Sequence, residues 1–296
     1  MTTLSASTTH DARFDDAWLK WGWAVLQANS LKTEVIDALK DEGKWGLTSV
    51  AQFDSQTNTF SVRVQGVNTV SQHWGLQLGD ILHNFRSALD SAGWAAVARG
   101  NHIHTPARER HIAFPMNTDA SMDTLDREQR RKVQGVTDAD LAVVDWAQPY
   151  QLPLPERDRH ILAILIKHND LDKHRSIRPI LLAGVDYKIT PADIGVHDCL
   201  LAEIERVDPG PLETNTELVR IHIKPTGPHP DIKLTAALSI SVFLEPKLGL
   251  GGFVDQTCDW VESVLGGFSQ KPPDILERLG FVAPDESGRS TEGEKS

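Results

Sequence analysis

Cysteine is nearly absent from this 296-residue chain: Cys199 and Cys258 are its only two. Two thiols cannot build a disulfide framework, and no CxxC or Cys/His zinc spacing is present. Both are therefore expected to fill core space in a reducing compartment. Long apolar runs are missing too. The longest, residues 161–166 and 234–244, fall well short of the roughly 20 residues a membrane helix needs. Residues 1–11 are polar and lack the apolar stretch of a secretory signal, so a cytoplasmic protein with no membrane contact is expected. An excess of basic residues is also lacking. Thirty Lys and Arg face 41 Asp and Glu, for a formal charge of -11. That balance speaks against a broadly basic nucleic-acid surface and leaves room only for a local basic pocket. Neither Gly-x-Ser-x-Gly nor His-Glu-x-x-His occurs, which removes the serine-hydrolase and zincin readings.

What is there is globular: 40% hydrophobic and 24% charged residues are enough to build a sizeable core. Phe14, Trp18, Trp21, Val25, Ala28, Val35 and Leu39 recur at helical spacing, predicting a long helix over 12–40 with its tryptophans in the core. Residues 47–53 and 59–65 alternate around the polar segment 54–58 and read as a β-hairpin. A second long helix is expected over 69–98, then a loop over 100–117. Further helices are expected over 119–133, 138–147 and 156–172. The second half changes character. Aliphatic and β-branched runs at 177–183, 197–207, 218–224 and 232–245 predict about four mostly antiparallel strands. A helix over 253–265 follows. The fold class is therefore α+β: an N-terminal helical bundle with a β-hairpin insertion, then the sheet, then a closing C-terminal helix. Residues 12–282 are expected to form one domain, with its helical part at 12–176, its sheet at 177–248 and its closing helix at 253–266. Residues 1–11 and 283–296 are expected to be disordered.

Two helical segments carry unusual polar residues. In the helix over 69–98, Trp74, Leu78, Ile81, Leu82, Phe85, Ala88, Leu89 and Ala92 share one side. Asp80, His83, Asn84, Arg86, Ser87, Asp90 and Ser91 share the other. The plain reading is an amphipathic helix with a solvated face. Such a face usually carries Lys and Glu, and neither occurs from Asp80 to Asp90. Short, directional hydrogen-bonding groups stand there instead, as suits a half-buried polar network. Arg86 and Asp90, at i,i+4, are placed to pair, and His83 lies on the same stripe.

The second segment continues a core-facing stripe. Ile161, Leu165, His168 and Asp172 align, with Arg175 next if the helix persists. His168 and Asp172, at i,i+4, have the spacing of two metal ligands. The plain alternative is a helix end with basic groups near its negative pole. No cofactor is predicted; a divalent metal held by Asp80, His83, Asp90, His168 and Asp172 is one alternative.

Leu78-Gly79-Asp80, His83-Asn84-Phe85-Arg86-Ser87-Ala88-Leu89-Asp90, Phe114-Pro115 and Asp172-Lys173-His174-Arg175, in this order, resemble a family of uncharacterised bacterial and phage-borne proteins. The resemblance spans about residues 12–265. A more distant resemblance is to HEPN-type helical domains, which include ribonucleases of toxin and phage-defence systems. Their motif is an Arg followed, after four to six residues, by a His. Here Ser91 stands where relatives read that His after Arg86. The resemblance implies a nucleic-acid-acting or defence-related protein, with RNA or another small anionic ligand as partner and homodimerisation open. Arg86 would bind phosphate, and His83 or His174 would move protons, beside Asp90 and Arg175. Two readings stand beside it. One is a non-enzymatic binding or assembly module in which Asp80, Asn84, Ser87, Asp172 and their neighbours form an ionic network. The other is the metal-dependent hydrolase.

Overall fold

The computed structural model describes residues 9–40, 48–68, 70–100, 109–117, 122–174, 177, 179–183, 194–207, 211–234, 240–245 and 248–280. The expected tail at 283–296 lies outside them, as do most of the expected N-terminal segment and Arg175. In chain order the elements are α1 (Asp15–Lys40), β1 (Thr48–Asp54), β2 (Thr59–Gly66), α2 (Gln72–Arg99), α3 (Arg127–Lys132), α4 (Asp138–Trp146) and α5 (Ile161–His174). There follow β3 (Ile180–Ala183), β4 (Ile194–His197), β5 (Cys199–Arg206), β6 (Glu217–Pro225), β7 (Asp231–Leu234), β8 (Ile240–Glu245), β9 (Leu248–Gly249), α6 (Leu250–Phe268) and α7 (Ile275–Arg278). This is the α+β architecture expected, with helices first, antiparallel strands next and a helix after them.

Two helices are shorter than the periodicity predicts. Within the expected helix 119–133, the described helix is α3 alone, started by Asp126, whose carboxylate accepts the Gln129 N–H at 2.7 Å. The helix expected from residue 156 begins at Ile161. Pro153 and Pro155 place residues 154–159 in a 3-10 turn, and extended His160 separates that turn from α5.

The chain divides into two compact units. The first comprises 1–27, 80–170 and 256–296. Its core includes Phe14, Trp18, Phe85, Phe114 and Phe268, all buried, with the Phe14 and Phe268 rings stacked at 5.6 Å between centroids. The stripe Ile81, Leu82, Phe85, Ala88, Leu89 and Ala92 of α2 is wholly buried, as its spacing predicts.

The second unit comprises 28–79 and 171–255 and holds every strand among the described residues. Its main sheet has the order β1-β2-β6-β5, antiparallel throughout. The hairpin thus supplies half of this sheet. The run 232–245 divides into β7 and β8, which join different sheets: β4-β7 and β3-β8-β9. In β2, Phe60, Val62 and Val64 are buried while Ser61 and Arg63 are less so, the period of two that a one-sided sheet requires. Phe60 and Val62 pack with Val219, Ile221, Ile232 and Cys199, so this thiol fills core space as expected.

Candidate functional site

In the first unit, α2 displays the first polar segment. Asp80 and His83 are exposed, while Asn84, Arg86, Ser87 and Asp90 are half-buried. Arg86 grips Asp90 with two parallel bonds, Nε to Oδ2 at 2.9 Å and Nη2 to Oδ1 at 3.0 Å. Asp90 Oδ1 also accepts the backbone N–H of Phe114 at 3.0 Å. Phe114 is fully buried, so its N–H has no access to water and needs this acceptor. Three donors therefore converge on one carboxylate, and the helix anchors the Phe114-Pro115 segment through it. Asn84 bridges to α1, donating to Gln27 Oε1 at 3.0 Å.

Ser91, next along α2, is itself engaged. Lys20 Nζ donates to its hydroxyl at 2.7 Å, and the hydroxyl donates to Asp16 Oδ2 at 2.8 Å. Lys20 and Asp16 pair directly at 2.8 Å, closing a triangle. Burial disfavours the Asp16 charge, yet the Lys20 and Ser91 hydrogen bonds outweigh it and hold the carboxyl below its ordinary range.

The second polar segment lies in α5. His168 is buried in the first unit. Asp172 belongs to the second unit and is half-buried, with its carboxylate against the backbone of Gly79 on α2; a Cβ at residue 79 would overlap it. One turn earlier on α2, a Cβ at residue 75 would overlap the Ile177 carbonyl more closely still. The two segments singled out in the sequence thus meet, through Gly79 and Asp172. His174 is the last residue of α5. Among the described residues no three His, Cys, Asp or Glu side chains gather as a metal site.

Beside this approach the second unit has a cavity of about 680 Å³, lined by Val67, Val70, Leu76, Ile177 and Leu212, with Glu213 at its wall. It belongs to neither polar segment.

Further buried ionic and titratable groups lie outside the two segments singled out in the sequence. Arg99, at the end of α2, pairs with the buried carboxylate of Asp140, donates to the Phe268 carbonyl at 2.9 Å and stacks over the Phe14 ring. Asp140 also completes a reciprocal cap with Thr137, its N–H donating to Oγ1 at 3.1 Å and its carboxylate accepting from the hydroxyl at 2.9 Å. The Thr-x-x-Asp spacing carried that signal. Arg157 is buried and donates to the carbonyls of Leu152 and Met122 and to Asp123; nothing in its local sequence marks it. His160 is buried against Trp260, and burial pushes its pKa down to about 4.

No family model, no curated protein and no solved structure matches this chain.

Proposed function

We propose that this chain is a non-enzymatic binding or assembly module whose prominent polar residues are structural. The observation that carries this reading is the engagement of both Asp90 carboxylate oxygens. Its carboxylate accepts from Arg86 and from the buried Phe114 N–H, so Arg86 has its charge neutralised in place and Asp90 serves as an anchor between helix and loop segment. The Ser91 triangle supports the same reading, since a hydroxyl held between Lys20 and Asp16 offers none of imidazole's acid–base chemistry.

The test is a comparison of Arg86→Ala and Asp90→Ala by urea unfolding, with each protein also incubated with total RNA and tRNA. The structural reading expects Asp90→Ala to cost about 2–3 kcal/mol, because it strands a buried N–H as well as a cation. Arg86→Ala, which removes one partly exposed partner, should cost about 1 kcal/mol. RNA should stay intact throughout. RNA cleavage by the wild type that disappears in Arg86→Ala at unchanged stability would overturn the reading in favour of a HEPN-like nuclease.

A further inference from the structure

The four-stranded sheet has two edges, β1 and β5, that differ in where their ladders are interrupted. Edge β5 carries a bulge between Leu201 and Glu203 and has Glu205 paired with Arg220 at 3.1 Å. Bulges and charges of this kind keep an edge from recruiting another strand. Edge β1 has its register shift at its very start, between Thr48 and Ser49. Its ladder to β2 runs without interruption from Ser49 to Asp54, and among the described residues it pairs with β2 alone. It contains no Pro or Lys, and its single charge, Asp54, stands at its end. All of its residues are exposed except Ala51, which is half-buried, and Val50 and Phe53 are both large apolar side chains left open to solvent.

We propose that β1 is a homodimerisation edge. Two copies pair their β1 strands antiparallel about a twofold axis at Ala51, joining two four-stranded sheets into one. The sequence Thr-Ser-Val-Ala-Gln-Phe-Asp is self-complementary in this register. Within its regular stretch, Ser49 faces Phe53 of the partner subunit, Val50 faces Gln52 of the partner subunit, and the small Ala51 meets its own copy on the axis. No charge opposes a like charge. Each bulky Phe53 faces a Ser. The faces agree as well. Ser49, Ala51 and Phe53 lie opposite Val64, Val62 and Phe60, and the Phe53 and Phe60 rings are 4.8 Å apart. Ala51 packs against the core cluster that includes Phe60 and Val62. Pairing therefore continues the apolar underside of the sheet across the axis and covers Phe53. A seam of two strands is small beside the roughly 1,200–2,000 Å² of a standard interface, so the dimer forms reversibly with concentration.

This names a partner for the assembly reading, yet it stands on other residues, so the two fail separately: the Asp90 arrangement through stability, the edge through mass. Sedimentation equilibrium of the full chain over a concentration series should show reversible dimerisation. Val50→Lys/Gln52→Lys sets Lys opposite Lys twice on the solvated face and should weaken association about tenfold or more. Val50→Glu/Gln52→Glu should do the same. An equimolar mixture of the two should recover a dimer at least as tight as the wild type, with circular dichroism confirming that each variant is folded. A wild type that stays monomeric up to its solubility limit overturns the proposal. So does a dimer unaffected by either charge variant, or two monomeric variants that fail to associate when mixed.

Discussion

Gly79 lies against Asp172, and the energetics of that approach can be argued at a single atom. Replacing Gly by Ala within a helix ordinarily gains about 1 kcal/mol. At residue 79 the new methyl would overlap the Asp172 carboxylate, whose side chain is too short to swing far. Overpacking of this kind costs about 1–3 kcal/mol, so Gly79→Ala should destabilise on balance. In an Asp172→Ala background the obstruction is gone, and the same substitution should become stabilising by about 1 kcal/mol. Chemical denaturation of the four proteins of this cycle checks the reversal; a Gly79→Ala effect independent of residue 172 would show that the carboxylate does not set the limit. At this scale the sequence was partly legible. The run of Asp, His, Asn and Ser without Lys or Glu marked where directional bonding occurs, and the i,i+4 spacing identified the Arg86–Asp90 pair. It did not reveal the third donor. The Phe114 N–H comes from 24 residues farther along the chain, and a backbone group leaves no trace in a residue pattern.

The start of α5 shows what local pattern omits at the scale of elements. Apolar periodicity accounts for the body of that helix, but its first residue is set by a cap. His160 is extended, and its Nδ1 accepts the Leu162 N–H at 3.1 Å, a role usually filled by Ser, Thr, Asp or Asn. Only a neutral imidazole can accept there. Burial lowers the folded-state pKa to about 4, below the ordinary value of 6.5, so the unfolded chain takes up the proton first as pH falls. The stability tied to this group is whole above pH 6.5 and declines as pH drops toward about 4, by at most roughly 3 kcal/mol. His160→Asn keeps an acceptor and removes the titration. Its unfolding free energy should be lower at pH 7 through lost packing on Trp260 and should fall less steeply than the wild type's between pH 6.5 and 4.5. Parallel slopes would show that His160 does not titrate as its burial implies. Strand pairing was the other gap. Alternation identified β2 and β6 separately, but Val62 pairs with Val219, and no pattern within either strand names a partner so distant in sequence.

For the whole molecule, the notable fact is where the chain passes from one compact unit to the other. The four passages fall between Gln27 and Ala28 in α1, Gly79 and Asp80 in α2, Asp170 and Leu171 in α5, and Asp255 and Gln256 in α6. Each is inside a helix. Domain boundaries ordinarily lie in exposed linkers rich in Pro, Gly and polar residues, which let neighbours unfold independently. A helix transmits order differently, because each residue's hydrogen bond reaches four residues back and propagation is cooperative. Melting either unit alone would leave four helices cut in mid-course, each with unsatisfied N–H and C=O groups at the new end. The expected outcome is one unfolding transition for the full chain. Calorimetric and van't Hoff enthalpies should agree, and native-state hydrogen exchange should give β6 and α4, one from each unit, the same highest opening free energy. Two resolved transitions, or core amides of β6 that open well below those of α4, would show that continuous helices are not enough to couple the units.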